Sequence, residues 1–106
     1  MTDVVKFEKQ GAIGVITIDY PPANALSFAV KKGLSEHFYA CLEDDDCKGM
    51  VITGAGRMFV AGADIGEFGM ATPEGVPELE NFIREIEVAP KPVVAAINGM
   101  ALGGGM

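Results

Sequence analysis

The sequence predicts an α/β fold. Three observations carry that prediction. Four short segments are rich in strand formers, and two stretches between them repeat apolar residues at three- and four-residue steps. Glycine and proline clusters punctuate the boundaries. The run Val93–Ile97 is apolar at every position, as a strand covered on both faces requires.

The elements follow in order. Residues 4–8 (VVKFE) and 12–19 (AIGVITID) read as two strands joined by a turn at Gln10-Gly11. YPPANAL, residues 20–26, cannot be helical, because two adjacent prolines force an extended turn. Ser27 is the expected N-cap of a first helix, whose inner face carries Leu34, Phe38, Cys41 and Leu42. Acids oppose the dipole at a helix C-terminus, so most of EDDD (43–46) belongs to the exit loop. KGMVITG, residues 48–54, is the third strand, and residues 57–69 read as irregular and glycine-rich. Residues 76–88 place Leu79, Phe82, Ile83 and Ile86 on one face of a second helix, which APKP breaks. Residues 93–97 form the last strand, NG turns, and GGG follows. The order is β-β-α-β-loop-α-β, within a single domain spanning residues 1–106.

Composition excludes several functions. The net charge of −7 argues against a nucleic-acid partner, which needs clustered Lys and Arg. No apolar run approaches the ~20 residues of a membrane helix, and residues 1–10 resemble neither a signal peptide nor a transit peptide. A cytoplasmic location is therefore expected. Cys41 and Cys47 fit no common zinc or redox spacing; with His37 they make three soft ligands and no fourth, so no metal is expected. The acidic run 43–46 lacks the glycine and closing glutamate of a calcium loop and reads as a solvated face.

The glycines remain. GAGRMF has Gly54 and Gly56 but Phe59 where a dinucleotide fingerprint needs its third glycine. GMALGGGM lacks the Lys-Ser/Thr pair of a phosphate loop. A different chemistry suits AGAD (61–64) and LGGG (102–105), each of which follows a strand-like run. Glycine lets the backbone approach a ligand closely. A helix opening at GGG would aim free N–H groups at its mouth. Two N–H groups from two loops can bind one developing oxyanion, which fits activation of a thioester carbonyl.

PPANALS, FVAGADI and KPVVAAINGMALGGG, in that order, resemble the enoyl-CoA hydratase/isomerase (crotonase) superfamily. PPANALS is most similar to the hydratase half of multifunctional fatty-acid oxidation enzymes. The resemblance implies the N-terminal portion of a crotonase-like superhelix of ββα turns. It implies an acyl-CoA or enoyl-CoA substrate, no separate cofactor, and a trimer, a hexamer or a place in a larger multifunctional chain. It puts the oxyanion hole at the backbone N–H groups of Ala63 and Gly104. The turn Asn24, Ala25 and Leu26, the segment Ala61, Gly62, Asp64 and Ile65, and Gly103 line the CoA path in that pattern; Arg57 holds a position that is often basic in the family and either faces the CoA phosphates or is a solvated loop arginine.

In hydrating members of the superfamily a catalytic glutamate directly follows the GGG-x motif, and a second lies further on. Met106 fills the x here. The expectation is a chain truncated at its C-terminal end, which holds the thioester-binding half and lacks the proton-transfer half. Asp64 is expected to bond within its own loop and Glu67 to face solvent, leaving neither as a general base. The alternatives are an isomerase or another crotonase-family reaction, or a complete non-catalytic module that binds CoA esters or a partner.

Overall fold

A computed structural model describes residues 4–62, 64–67, 69–102 and 105. Strands β1 (Val5–Gln10) and β2 (Ile13–Ile18) form an antiparallel hairpin, with Val5 opposite Ile18. Its turn is Gly11-Ala12, one residue later than expected, and Gly11 takes φ +63°, which favours glycine. Helix α1 (Phe28–Glu43) follows, then strand β3 (Gly49–Gly54), which pairs in parallel with β2. Helix α2 (Leu79–Glu87) leads to β5 (Val93–Ala96), in parallel with β3. The main sheet therefore runs β1-β2-β3-β5, and the α/β class is as expected.

Residues 57–69, expected to be irregular, carry more structure. Met58–Val60 is a strand, β4, and Ile65–Glu67 is a short 3-10 turn. β4 pairs in parallel with a two-residue strand, β6 (Met100–Ala101), in a second small sheet. A three-residue strand between glycines offers too little pattern to read from sequence. The second helix is also shorter than 76–88: Glu78 is still extended (φ −67°, ψ 139°) and occupies the N-cap position without a side-chain capping bond.

Both helices lie on one face of the main sheet. Phe38 of α1 meets Phe82 of α2 edge-on, with ring centroids 5.4 Å apart. Beneath them lie Val5, Ile16, Ile18 and Met50, all at most 4% exposed. Val30, Leu34, Phe38 and Cys41 form the buried stripe of α1. Ser27 accepts the Val30 N–H at 3.1 Å, which makes it the N-cap that the sequence predicts. At the other end Asp44–Asp46 fall in the exit loop, again as predicted.

The opposite sheet face is open. The register aligns Val15, Val51 and Val94 across three strands, and Val94 is 55% exposed. The expectation that Val93–Ile97 is covered on both faces therefore fails. Both crossover helices sit on the Val93 side, so Val94 and Ala96 remain exposed, and Ile97, past the strand's end, is exposed as well. Among the described residues no helix is long and apolar enough to cross a membrane.

Candidate active site

The three motif segments of the sequence lie side by side. The Leu26 N–H donates to Gly62 O at 2.7 Å, and the Ala61 N–H donates to Ala23 O at 3.1 Å. These two bonds zip the proline-rich turn to the chain leaving β4. On the other side of β4, the Leu102 N–H donates to Val60 O at 2.9 Å, and Val60 pairs with Ala101. The backbone of 60–62 thus runs between the turn at 23–26 and the approach to the triple glycine.

Asn24 fixes the turn. It is 2% exposed and sits at φ +54°, a region that asparagine tolerates better than most side chains. Its Oδ1 accepts the Tyr20 N–H at 2.8 Å. Its Nδ2 faces three carbonyls, Met58 O at 2.9 Å, Ala55 O at 3.2 Å and Phe59 O at 3.3 Å. One buried amide therefore closes its own turn and binds it to the β3–β4 loop.

Asn98 also holds this loop, a role that an Asn-Gly turn does not mark in sequence. Its Oδ1 accepts the Gly54 N–H at 3.2 Å, and its Nδ2 donates to Gly56 O at 3.0 Å and Met58 O at 3.3 Å. Small residues make this approach possible. A Cβ on Gly99 would collide with the Arg57 carbonyl, and one on Gly54 would lie 2.6 Å from Phe59 O. Gly62 is buried at φ +101°, a conformation that few other residues adopt.

Of the other expected site residues, Ala25 and Ala61 are half-buried and Leu26 is buried. Arg57 is exposed in the loop between the two asparagine clamps. Ile65 opens the 3-10 turn. Ala63, Gly103 and Gly104 lie outside the described residues.

Asp64 bonds within its loop, accepting the Gly66 N–H at 3.0 Å, and also accepts the Tyr20 hydroxyl at 3.4 Å. Glu67 departs from expectation. It is half-buried and does not simply face solvent: its Oε1 accepts the Phe28 N–H at 2.8 Å, in the first turn of α1. That N–H has no partner inside its own helix, so a carboxylate arriving from a loop is a favourable one.

Two cavities flank these segments. One of about 190 Å³ lies between α2 and the sheet, lined by Leu79, Phe82, Ile86, Ile18, Ile52 and Val93. Leu26, Val60 and Gly105 also border it, and its lining side chains are all apolar. The other, of about 210 Å³, is mixed in character and is lined by Leu26, Phe28, Lys31, Asp64, Glu67 and Met70. Leu26 borders both.

The cysteines take no part in the site. Both are buried free thiols, and His37 stacks on Phe7 with ring centroids 5.4 Å apart. Burial, and then the hydrogen bond with Cys47, push the Cys41 thiol up to about 11. Among the described residues no group of three or more His, Cys, Asp or Glu could hold a metal.

Residues 8–106 match the family description "Enoyl-CoA hydratase/isomerase". The chain belongs to the enoyl-CoA hydratase/isomerase family. It is 43% identical over 107 residues to a short-chain-enoyl-CoA hydratase of Clostridium acetobutylicum, covering 95% of this chain and 41% of that one. It is 45% identical over 94 residues to a peroxisomal bifunctional enzyme of Danio rerio, covering 89% of this chain and 13% of that one. A solved carnitinyl-CoA dehydratase from Mycobacterium avium superposes with a TM-score of 0.83 at 33% identity, over 98% of this chain and 43% of that one. The chain thus has the crotonase fold and spans less than half the length of these family members.

Proposed function

We propose that this chain forms the thioester-binding part of an enoyl-CoA hydratase that adds water to trans-2-enoyl-CoA in fatty-acid β-oxidation. One observation carries the proposal. β4 and β6 are parallel, and Val60 pairs with Ala101, so the chain leaves both positions in the same direction. Ala63 is three residues past the first and Gly104 three past the second. Their N–H groups would together hold the thioester oxygen as it gains negative charge. That polarises the enoyl system and stabilises the enolate left when water adds to the β-carbon.

The surroundings suit this substrate. The apolar cavity reaches Gly105 and would take an acyl chain. The turn 24–26 and segment 61–65 would line the CoA path, with Arg57 exposed to meet phosphate. The substrate itself carries the reactive group, so no cofactor enters. Proton transfer is assigned to neither Asp64 nor Glu67, because both are already held, by Gly66 and Tyr20 and by Phe28. A homo-oligomer or a larger multifunctional chain would cover the open valine row.

The test is crotonyl-CoA titration of the purified chain, followed by the conjugated enoyl-thioester absorbance over time. Saturable binding with no loss of absorbance supports both parts of the proposal. No binding overturns it. Binding with hydration overturns the reading of residues 1–106 as the binding part alone.

A further inference from the structure

We propose that Glu67 is a positioning residue for the thioester-binding loop. The inference rests on the oxyanion role proposed above for the backbone at Ala63. The loop that runs from Gly62 to Glu67 has two kinds of anchor. At its start, backbone bonds tie Ala61 and Gly62 to the proline-rich turn. At its end, Glu67 is held at 2.8 Å by the Phe28 N–H. Asp64 adds a longer bond to Tyr20 and a local one to Gly66.

The partner of Glu67 matters more than its distance. The first turn of α1, residues 28–31, contains no acid of its own and carries Lys31. The partial positive charge of a 16-residue helix therefore has no anion supplied in sequence. Glu67 supplies one from 39 residues away. Ser27 caps the same helix locally through the Val30 N–H, so the helix does not depend on Glu67 to begin. What the Phe28–Glu67 bond adds is a fixed distance between the rigid start of α1 and the far end of the loop. An oxyanion donor acts only when it is aimed before the charge develops, and a loop held at both ends keeps that aim.

In this role Glu67 acts through the backbone that it anchors, not as an acid or base. A bond from a neutral N–H to a charged carboxylate has an effect of roughly tenfold on an equilibrium. The amide of glutamine keeps an acceptor at the same reach but loses the charge.

The experiment uses a cinnamoyl-CoA, whose absorption moves to the red when its thioester carbonyl is polarised. Glu67→Ala, Glu67→Gln and Ser27→Ala are compared with the unmodified chain at saturating ligand. The unmodified chain is expected to shift the absorption, Glu67→Ala to lose most of the shift and to bind about tenfold more weakly, and Glu67→Gln to recover most of both. Ser27→Ala weakens the same helix without touching the loop, so it should melt earlier yet keep the full shift. Equal shifts in Glu67→Ala and the unmodified chain overturn the positioning role. So does equal loss in Ser27→Ala, which would reduce the effect to helix stability. If Glu67→Ala does not fold, Glu67→Met, which fills the same space without an acceptor oxygen, takes its place: a reduced shift there beside an undiminished one in Ser27→Ala supports the role, and an undiminished shift in Glu67→Met overturns it. An unmodified chain that binds cinnamoyl-CoA without any shift overturns the oxyanion reading, and this proposal with it.

Discussion

Replacing Asn24 should unfold the site from beneath. The side chain is 2% exposed and makes a 2.8 Å bond with the Tyr20 N–H and a 2.9 Å bond with Met58 O. Asn24→Ala removes both. Met58 O keeps a second donor in Asn98 Nδ2 at 3.3 Å, whereas the Tyr20 N–H loses its side-chain acceptor. Two buried hydrogen bonds at about 1 kcal/mol each, with a further ~1 kcal/mol for desolvating a stranded group, give about 3 kcal/mol. Alanine at φ +54° adds about 1 kcal/mol of backbone strain. The total, about 4 kcal/mol, is a large share of the ~5–15 kcal/mol that holds a typical domain together.

Two further substitutions separate the causes. Asn24→Gly accepts the positive φ without strain and should lose only the hydrogen-bond part, about 3 kcal/mol. Asn24→Asp keeps the shape and the bond to Tyr20 but turns a carboxylate oxygen toward the carbonyls of Met58, Ala55 and Phe59. It should be the least stable of the three at neutral pH, and its deficit should narrow as acid restores a donor. Urea unfolding followed by circular dichroism gives the order: wild type, then glycine, then alanine, then aspartate. An aspartate variant as stable as the glycine variant would show that the amide does not face those carbonyls, and the clamp would have to be abandoned.

Other perturbations test other parts of the frame. Lys91 Nζ donates to Cys41 O at 2.6 Å and Asp44 O at 2.8 Å, capping the C-terminus of α1; Lys91→Met should cost about 2 kcal/mol in urea unfolding, and a loss near zero would refute the cap. Cys41 in the unfolded chain ionises from about pH 8.5, whereas in the fold its thiol is pushed up to about 11. Between those values the unfolded state has lost a proton that the fold retains, so stability should fall as pH rises across that window. Cys41→Ala should flatten that decline, and parallel slopes would count against the buried thiol as its source. Gly99→Ala sets a Cβ against the Arg57 carbonyl, backbone to backbone, and should part β4 from β6. Its expected cost is about 1–3 kcal/mol, with loss of crotonyl-CoA binding; an unchanged melting temperature would refute the close approach.

Much of this fold was legible because its signals are long. The 16 residues of α1 repeat their apolar stripe four times and begin at a serine that does cap them. The hairpin and the strand at 49–54 carry β-branched runs whose type is unambiguous. What escaped is short or distant. β4 and β6 are three and two residues long, too brief for any period to appear, and each exists because the other pairs with it. Glu67 read as a solvated acid because its partner, the Phe28 N–H, is a backbone group that no sequence pattern marks. Asn24 was singled out for its place in a motif, but its three carbonyl partners lie more than thirty residues away.

The same asymmetry explains how the candidate site is built. Ala61 and Gly62 carry no side chain that could hold the backbone there, so its position has to come from elsewhere. Here the loads fall on Asn24 and Asn98, amides that both donate to Met58 O. An asparagine both donates and accepts, so each can satisfy a backbone N–H and a backbone carbonyl at once, Tyr20 and Met58 in one case, Gly54 and Gly56 in the other. Leucine could fill the space but would leave those groups unpaired, and aspartate could accept but not donate. The clamps are therefore amides for a physical reason, and the motif segments are recognisable in sequence because the backbone they hold leaves so few residue types that fit.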